Sequence, residues 1–368
     1  MRIFGNALLC MVVSLGLAQG SASPEQQQTT GPETKLLCNG YSELCSRSYN
    51  NVSFACTHNA YSSPPPEDYL ALNQARSIQE QLDDGVRAFM LDVVRSASDT
   101  GTGSNTSSAS SGIVSTIINK FKGIFSRQLH HKKESKEEDP TITTVHLCHE
   151  SCLLVDKGRL VDTLAVFKKF MDANPHEVVT FIIENVSGFT ATQLSPSFEQ
   201  SGLDKYAYAP GFSPRSSHSG YAWPTLAELI DKNKRLVVFI DDKADTSAVP
   251  YILPEWEYVV EIPYANINPV KSFPCNQERP RDAVPRDLLV LNHFAYNRIT
   301  IAGKNIDSPL NPTQVEEHGY NSLKSLSEHL SSCKSTWGSR VFNFITVDFY
   351  DIGAGGIFKA VKLANGLS

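Results

Sequence analysis

The sequence predicts an α/β fold, a single-domain (β/α)8 TIM-type barrel, from two observations. Eight short apolar runs rich in β-branched residues recur from residue 52 onward, and their continuous hydrophobicity is typical of strands buried on both faces of a parallel sheet. Segments with helical periodicity separate several of these runs, an alternation that favours a parallel α/β architecture. Eight such units within about 310 residues indicate a closed barrel rather than an open sheet.

The order of the elements along the chain follows from these two periodicities. The predicted strands are 52–56, 86–93, 142–147, 178–183, 236–240, 258–262, 288–291 and 342–347. The predicted helices are 78–82, 160–171, 226–232, 323–330 and 357–363. The helical pattern is replaced by loop after the run at 258–262, so we expect an irregular barrel.

The segment ahead of the barrel has the features of a secretory signal. Arg2 supplies the positive end of residues 1–22, an apolar run follows over 7–17, and small residues then offer a cleavage site. The apolar run is too short to span a bilayer. Residues 23–37 are rich in Gln, Thr and Pro and are expected to be a flexible lead-in, which leaves 38–368 for the barrel. We therefore expect a secreted protein, and we expect it to be a monomer.

The net charge limits the classes of partner that we expect, and the cysteine content indicates the redox compartment. The formal net charge of −6 gives no electrostatic reason to expect nucleic acid. Apart from Cys10 in the signal, the cysteines should mostly pair in an oxidising compartment, with Cys56 left over in a strand. Local spacing suggests the pairs Cys38–Cys45 and Cys148–Cys152, and Cys275–Cys333 then closes a long loop, although sequence alone does not prove this connectivity. Glycosylation sequons at Asn51 and Asn105 predict a glycoprotein.

One stretch, residues 96–141, interrupts the rhythm of strands and helices. It opens with a Ser/Gly/Thr run that is flexible by composition. Residues 113–125 then place seven large apolar side chains on one helical face, and lysines, an arginine and histidines surround this face. A basic amphipathic helix in a rim loop indicates a membrane-surface element. An insertion that packs back on the barrel is the alternative.

Polar side chains follow nearly every predicted strand. In a TIM-type barrel, the chemistry lies at the C-terminal ends of the strands. The residues found there are His58, Asn59, Asp92, His149, Glu184, Asp241, Asp242, Asn292, His293 and Asp348. A barrel without a site at this end has no reason to carry an ionisable or amide group after so many strands.

Several motifs at these positions resemble those of a known family. They are, in order, Thr57-His58-Asn59-Ala60-Tyr61, Gly85-Val86-Arg87-Ala88-Phe89-Met90-Leu91-Asp92, Leu147-Cys148-His149 and Ile182-Ile183-Glu184-Asn185. Together they resemble the catalytic X region of the phosphatidylinositol-specific phospholipase C superfamily. The later stretch Val347-Asp348-Phe349-Tyr350 is similar to the last barrel strand of its secreted, single-domain, fungal-type members. The resemblance covers residues 38 to about 365.

This resemblance implies a phosphoric diester hydrolase in which a neighbouring sugar hydroxyl attacks phosphorus. His58 and His149 match the two family histidines, and imidazole suits acid/base work because it titrates near neutral pH. Asp348 is expected to orient His58 through a hydrogen bond. We assign three further residues to substrate binding: Arg87, Asp241 and His293. The expected substrates are inositol phospholipids or glycosyl-phosphatidylinositol anchors.

The resemblance also implies a source of positive charge, because charge develops on the phosphorane. Bacterial members use an arginine at the position of Asp92, whereas animal and plant members use calcium (Ca²⁺). Asn59, Asp92 and Glu184 match calcium-ligand positions, and all three offer hard oxygen donors. Met90 stands where the calcium-dependent enzymes carry a ligand glutamate, so the predicted calcium site lacks one donor.

Two alternative functions stay open at this point. The first is a phosphodiesterase of the same fold that acts on a glycerophosphodiester or a sphingolipid. The second, from a different class, is a catalytically inactive barrel that binds lipid head groups or glycans. Met90 and Glu150, which stands where a glycine is usual, favour the inactive barrel. Turnover of an inositol phosphodiester with and without a chelator distinguishes these functions.

Overall fold

The computed structural model describes most of the predicted barrel region. The described residues are 36–65, 72–96, 144–149, 152, 156–210, 222–282, 284–301 and 304–367. The predicted signal (1–22), nearly all of the lead-in (23–37), the amphipathic stretch 113–125 and Glu150 lie outside these residues. The predicted domain boundaries therefore stay predictions.

Twelve strands are present in the described residues, ten in one sheet and two in a hairpin. They are β1 (Phe54–Thr57), β2 (Ala88–Arg95), β3 (Val145–Cys148), β4 (Asp156–Arg159), β5 (Val179–Glu184), β6 (Leu236–Ile240), β7 (Ile252–Pro254), β8 (Val259–Glu261), β9 (Leu288–Asn292), β10 (Tyr296–Ile301), β11 (Lys304–Pro309) and β12 (Phe344–Val347). Strands β10 and β11 form the separate antiparallel hairpin.

Eight of these strands run parallel in a curled sheet, which confirms the predicted barrel-type α/β fold. Their order is β7-β6-β5-β2-β1-β12-β9-β8, so every neighbour along the path is also the next barrel strand in the chain or joins the last strand to the first. The two ends of the path, β7 and β8, are connected by the short helix Glu255–Tyr258 instead of by a strand ladder. The barrel is therefore irregular at this seam.

One predicted barrel strand was wrong, although the predicted number of eight was correct. The run at 142–147 corresponds to β3, which pairs antiparallel with the upper end of β2 and with β4. It belongs to a ribbon that extends from the barrel rim. The true eighth strand is β7, whose three residues are too short an apolar run to stand out in the sequence.

The helices pack around the sheet and complete the predicted alternation. Those that match predicted segments are Ile78–Asp84, Leu160–Ala173, Leu226–Asp231, Leu323–Trp337 and Gly356–Ala364. Others are Ser42–Cys45, Ala191–Ser201, Glu255–Tyr258 and Pro312–His318, with 3-10 turns at Tyr49–Asn51 and Leu203–Tyr206. Several begin with a capping box, such as Ser77 with Glu80, which satisfies two exposed backbone N–H groups. None of the helices in the described ranges has both the length and the apolar character needed to cross a membrane.

Alternation along each barrel strand divides the hydrophobic core into two parts. In β2, Phe89 and Leu91 point outward and pack under the helices, whereas Ala88 and Met90 belong to the barrel interior. Asp92 continues the interior face at the upper end of the same strand. The barrel interior is therefore apolar below and acidic at the rim.

Disulfide bonds connect the three predicted pairs, Cys38–Cys45, Cys148–Cys152 and Cys275–Cys333. Cys56 is a free, buried thiol within β1. These bonds confirm the three pairs that we expected from the sequence.

Candidate active site

A cavity of about 300 Å³ opens at the C-terminal ends of the barrel strands. It is lined by His58, Asn59, Met90, Asp92, His149, Glu184, Val186, Tyr264, Arg279, Asn292, Phe294 and Tyr296. We call this cavity the rim pocket. The structure thus brings together the two predicted histidines and the three predicted metal ligands.

His58 enters the rim pocket from the turn that follows β1. Its backbone N–H donates to the carbonyl of Val347 on the neighbouring strand β12, at 3.1 Å. The next residue, Asn59, has a φ of +42°, a left-handed conformation that asparagine adopts more readily than most residues. This turn ends the strand abruptly, and it leaves the imidazole at the edge of the barrel instead of inside it.

The orientation of the His58 imidazole is fixed on two sides. Its Nδ1 lies 2.9 Å from Oδ1 of the buried Asp348 carboxylate, as the sequence predicted. Because a carboxylate only accepts, Nδ1 carries the hydrogen and Nε2 is the nitrogen left for chemistry. The ring stacks on Phe294 with a centroid distance of 4.0 Å and an interplanar angle of 5°. Asn73 also donates to Asp348, at 3.1 Å.

Burial and charge act in opposite directions on the pKa of His58. Burial alone lowers this pKa, but the charge and hydrogen bond of Asp348 raise it, and the more distant carboxylates of Asp92 and Glu184 add to the rise. The result is a pKa above the ordinary value for histidine. Such an imidazole can hold or release a proton near neutral pH, which general acid/base catalysis requires.

His149 reaches the rim pocket by a different route from the one the sequence predicted. Strand β3 runs antiparallel to β2, with Leu147 opposite Val93. The chain therefore returns toward the barrel along β3, and His149 arrives beside the end of the barrel segment of β2. The disulfide between Cys148 and Cys152 closes the chain directly after this point.

Asp92 and Glu184 form an acidic pair on the floor and wall of the pocket. They are register partners on the adjacent strands β2 and β5. Burial, and then the charge of Glu184, raise the pKa of Asp92 to about 7, although Tyr61 donates a hydrogen bond to it at 2.8 Å. Desolvation also raises the pKa of Glu184, and Arg279 partly opposes this rise. Two carboxylates so close together favour a shared proton or a bound cation.

Asn59 allows a test of whether these residues fit calcium. Its amide lies 2.9 and 3.1 Å from the two Asp92 oxygens, and with the nitrogen on that side it donates to both. With the oxygen on that side, three oxygen atoms converge, an arrangement that a cation stabilises. One amide and two carboxylates are the kind of donors that suit a hard cation, so the donor set of Asn59, Asp92 and Glu184 fits calcium by its chemistry, while the Met90 thioether offers no oxygen donor. Water and substrate would have to complete the ligand shell.

Two residues assigned to substrate binding lie away from the rim pocket, which corrects those assignments. Arg87 precedes β2, so it lies at the opposite end of the barrel, where Nε donates to Glu177 at 2.6 Å. The His293 side chain points into the core and contacts His329 and the carbonyl of Tyr320. Both residues satisfy buried polar groups, which sequence position alone does not reveal.

The third residue assigned to substrate binding, Asp241, lies behind the pocket wall. Its Oδ1 accepts a hydrogen bond from the backbone N–H of Asn185 at 2.8 Å. Its charge contributes to the raised pKa values of Glu184 and Asp92. Asp241 therefore acts on the acidic pair by its charge, and it does not line the cavity.

Sequence reasoning missed five residues that line the pocket: Val186, Tyr264, Arg279, Phe294 and Tyr296. Arg279 comes from a loop after β8 that carries no periodic signal. Its Nε and Nη2 donate to Oε2 of Glu261 at 2.9 and 2.6 Å. Tyr296, at the start of the β10–β11 hairpin, meets His58 edge-on, and burial strongly raises its pKa. The hydrogen-bonded pair Glu261 and Arg279 is separated by 18 residues in the sequence, so a local sequence pattern does not reveal it.

Comparisons with known proteins agree with this arrangement. A family model described as PI-PLC X matches residues 122–365. A PI-PLC X domain-containing protein 1 of Arthroderma benhamiae is 30% identical over 358 residues, covering 96% of this chain and 95% of that protein. An "uncharacterized secreted protein" of the same organism is 29% identical over 359 residues, covering 95% of this chain and 69% of that protein.

Solved structures with a similar fold are more distant in sequence. The phosphatidylinositol-specific phospholipase C of Listeria monocytogenes is 12% identical and has a TM-score of 0.48, covering 87% of this chain and 97% of that one.

Proposed function

The chain belongs to the phosphatidylinositol-specific phospholipase C X-domain family, and we propose that it is a secreted phosphodiesterase that cleaves inositol phospholipids or glycosyl-phosphatidylinositol anchors. The observation that supports this proposal best is the pairing of His58 with the buried Asp348 carboxylate, in a pocket that also contains His149. One imidazole is thereby held in a defined tautomer, and a second, that of His149, lines the same pocket.

The proposed reaction needs one proton acceptor and one proton donor. Nε2 of His58 accepts the proton of a sugar hydroxyl as its oxygen attacks phosphorus, and Asp348 stabilises the imidazolium that forms. His149 donates a proton to the leaving oxygen as the bond from phosphorus to diacylglycerol, or to another alcohol, breaks. The product is a cyclic phosphodiester, which water opens with the two histidines in reversed roles.

Charge on the phosphate is the second requirement of the reaction. Asn59, Asp92 and Glu184 are the residues that would hold a calcium ion, and a bound calcium would neutralise charge on the phosphate oxygens. The raised pKa of Asp92 is consistent with a site that a cation would complete. Where no cation is bound, the same pair holds a proton near neutral pH.

The experiment is turnover of phosphatidylinositol in mixed micelles, followed by ³¹P NMR. We expect a cyclic inositol phosphodiester to form before the monoester, because attack is internal. Absence of any turnover, together with retained binding of the lipid, would instead identify an inactive lipid-binding barrel. A monoester without the cyclic product would contradict internal attack.

Secretion and membrane contact belong to the same proposal. Three disulfides suit an oxidising compartment, and a relative is named as a secreted protein. The membrane contact is proposed from the sequence of residues 113–125 alone. Deletion of 104–138 should lower activity on vesicles and spare a short-chain soluble substrate. Equal loss on both substrates, with a lower melting temperature, would show that this stretch is part of the barrel's packing.

A further inference from the structure

Arg279 is the single lysine or arginine among the described residues that line the rim pocket. The other ionisable groups that line the pocket are two histidines, two tyrosines and the acidic pair, namely His58, His149, Tyr264, Tyr296, Asp92 and Glu184. An anionic substrate that enters this pocket therefore meets two carboxylates and one permanent positive charge. The position of that charge decides where a phosphate can bind.

Arg279 is held rigidly from one side. Its backbone pairs with Glu261, the last residue of β8, with Glu261 N–H donating to the Arg279 carbonyl at 2.8 Å. Both Nε and Nη2 donate to the same oxygen of the Glu261 carboxylate, which is only 1% exposed. The guanidinium also lies over the rings of Trp256 and Tyr264, at 5.2 and 4.5 Å.

The remaining edge of the guanidinium is not used by these contacts. Within the described part of the chain, Nη1 makes no hydrogen bond, and the side chain stays about one-third exposed at the pocket. An arginine clamped through Nε and Nη2 has lost its rotamer freedom already, so an anion that binds Nη1 incurs little further entropy loss.

Asn292 provides an independent observation on the same side of the pocket. Its Nδ2 donates to the carbonyl of Ile262 at 2.9 Å, which fixes the amide orientation. Asn292 is only 1% exposed, and its buried Oδ1 has no hydrogen-bond partner among the described residues. A buried acceptor without a donor is energetically unfavourable, so it calls for a ligand that carries a hydroxyl or N–H group.

We propose that Arg279 and Asn292 form a head-group subsite on the β8–β9 side of the rim pocket. Arg279 binds an anionic phosphate oxygen through its free edge, and Oδ1 of Asn292 accepts a hydrogen bond from a hydroxyl group of the polyol. The two residues are neighbours because they are anchored to the consecutive residues Glu261 and Ile262. The ligand of this subsite is a polyol phosphate. The inference depends on the proposed function in one respect, namely that this ligand is part of the substrate.

Binding of two probes, inorganic phosphate and myo-inositol 1-phosphate, tests the subsite by calorimetry without any turnover. The variant Glu261→Gln with Arg279→Gln removes both members of the ion pair together, so the Glu261 carboxylate is not left buried without its partner. We expect it to bind both probes at least tenfold more weakly than the native protein. Arg281→Gln is the matched control, since Arg281 lies two residues away and its side chain is 84% exposed; its affinities should stay within twofold.

Asn292→Leu separates recognition of the polyol hydroxyl from binding of the phosphate. It should leave the affinity for inorganic phosphate within twofold and abolish the extra affinity for myo-inositol 1-phosphate. Arg279→Lys keeps the charge and a partner for Glu261, so it is expected to fold even if the double variant does not, and it should bind both probes several-fold more weakly. Melting temperatures of all variants check the fold.

Two results would overturn the subsite: no phosphate binding by the native protein, or unchanged affinities in both Arg279 variants. Failure of the proposed function is recognised separately. If the native protein binds both probes through Arg279 but turns over no inositol phosphodiester, the subsite stands and the hydrolase does not. If turnover depends on His58 while the Arg279 variants bind phosphate normally, the hydrolase stands and the subsite does not.

Discussion

Two histidines of this barrel look alike in sequence and differ in almost every physical respect. His58 follows β1 and stacks on Phe294 at 4.0 Å, and His293 follows β9 and lies 4.1 Å from the ring of Phe273. The Nδ1 of His58 donates to a carboxylate. The Nδ1 of His293 instead lies 2.8 Å from Nδ1 of His329, and its Nε2 donates to the Tyr320 carbonyl at 2.9 Å.

These partners move the two pKa values in opposite directions. Asp348 more than offsets the effect of burial and raises the pKa of His58. Burial, and then repulsion from His329, lower the pKa of His293 to about 3, and burial lowers that of His329 to about 4. His293 therefore stays neutral and structural. A histidine after a barrel strand becomes a candidate catalyst only when it has a carboxylate partner and an open pocket.

The largest expected effect comes from replacing the two histidines separately. His58→Ala should lower kcat/KM on an inositol phosphodiester by about 10²–10⁴-fold, because a general base is lost, with little change in melting temperature. His293→Ala should leave the activity of the folded protein within a few-fold. His176→Ala is the control, since His176 is exposed and precedes β5, at the other end of the barrel. Similar losses of activity in His58→Ala and His293→Ala would contradict the distinction between a catalytic and a structural histidine.

Asp348→Asn makes His58 more like His293, and its expected effect is the next largest. Loss of the carboxylate removes the main influence that raises the pKa of His58, so this pKa should fall. His58 accepts a proton only when neutral, and the acid limb of the pH–rate profile should therefore move to lower pH. We also expect a loss of up to about 10⁴-fold in kcat, because the imidazole loses the carboxylate that fixes its tautomer. An acid limb that stays in place or moves to higher pH would contradict the proposed role of Asp348.

The pair His293–His329 should affect the stability of the protein and not its activity. Both pKa values are lower in the folded protein than in the unfolded chain, where histidine titrates near 6.5. The unfolded state therefore binds more protons below that value, and the free energy of unfolding should fall as the pH drops from about 6.5 toward 4. His293→Gln combined with His329→Gln should show a smaller fall in melting temperature over this range. An equal fall in the variant would mean that other groups cause the acid sensitivity.

Much of the fold was predictable because its signals are local. Apolar runs identify buried parallel strands, and helical periodicity identifies helices. Short spacings identified the disulfides Cys38–Cys45 and Cys148–Cys152. The ribbon strand β3 was misassigned because an apolar run does not state whether its partner is parallel or antiparallel. Strand β7 was missed because three residues do not form a recognisable run.

The candidate site was predictable where a residue lies at the C-terminal end of the barrel part of a strand or directly after it, as His58, Asp92 and Glu184 do. His149 was correctly grouped with them, although the strand before it is not a barrel strand. Arg279 was not predictable. Its position depends on hydrogen bonds to Glu261 across a loop, and residue spacing does not indicate such a contact. His293 was placed at the site because its sequence context cannot show that its partners are His329 and a carbonyl.

The smallest expected effect concerns the acidic pair. The pKa of Asp92 is about 7 in the folded protein and near 3.8 in the unfolded chain, so the folded state binds more protons between these values. The stability contributed by Asp92 is therefore present at pH 4 and lost as the pH rises toward 7. Asp92→Asn should raise the free energy of unfolding more at pH 8 than at pH 4, because the variant has no buried carboxylate to ionise.

Calcium provides the second half of this test. Added calcium at pH 8 should raise the melting temperature of the native protein and leave that of Asp92→Asn unchanged. Met90→Glu restores an oxygen donor and should enlarge the rise. The same melting temperature with calcium and with a chelator, in all three proteins, would argue against a cation site in the rim pocket.

The central claim is that His58 and His149 act together on one phosphate, and the most direct measurement is kcat/KM for His58→Ala, His149→Ala and the double variant. Residues that act as a unit lose their whole contribution when either is removed. We therefore predict that the double variant is no more than a few-fold slower than the slower single variant. Near-normal activity of His149→Ala, or losses that multiply in the double variant, would contradict the account.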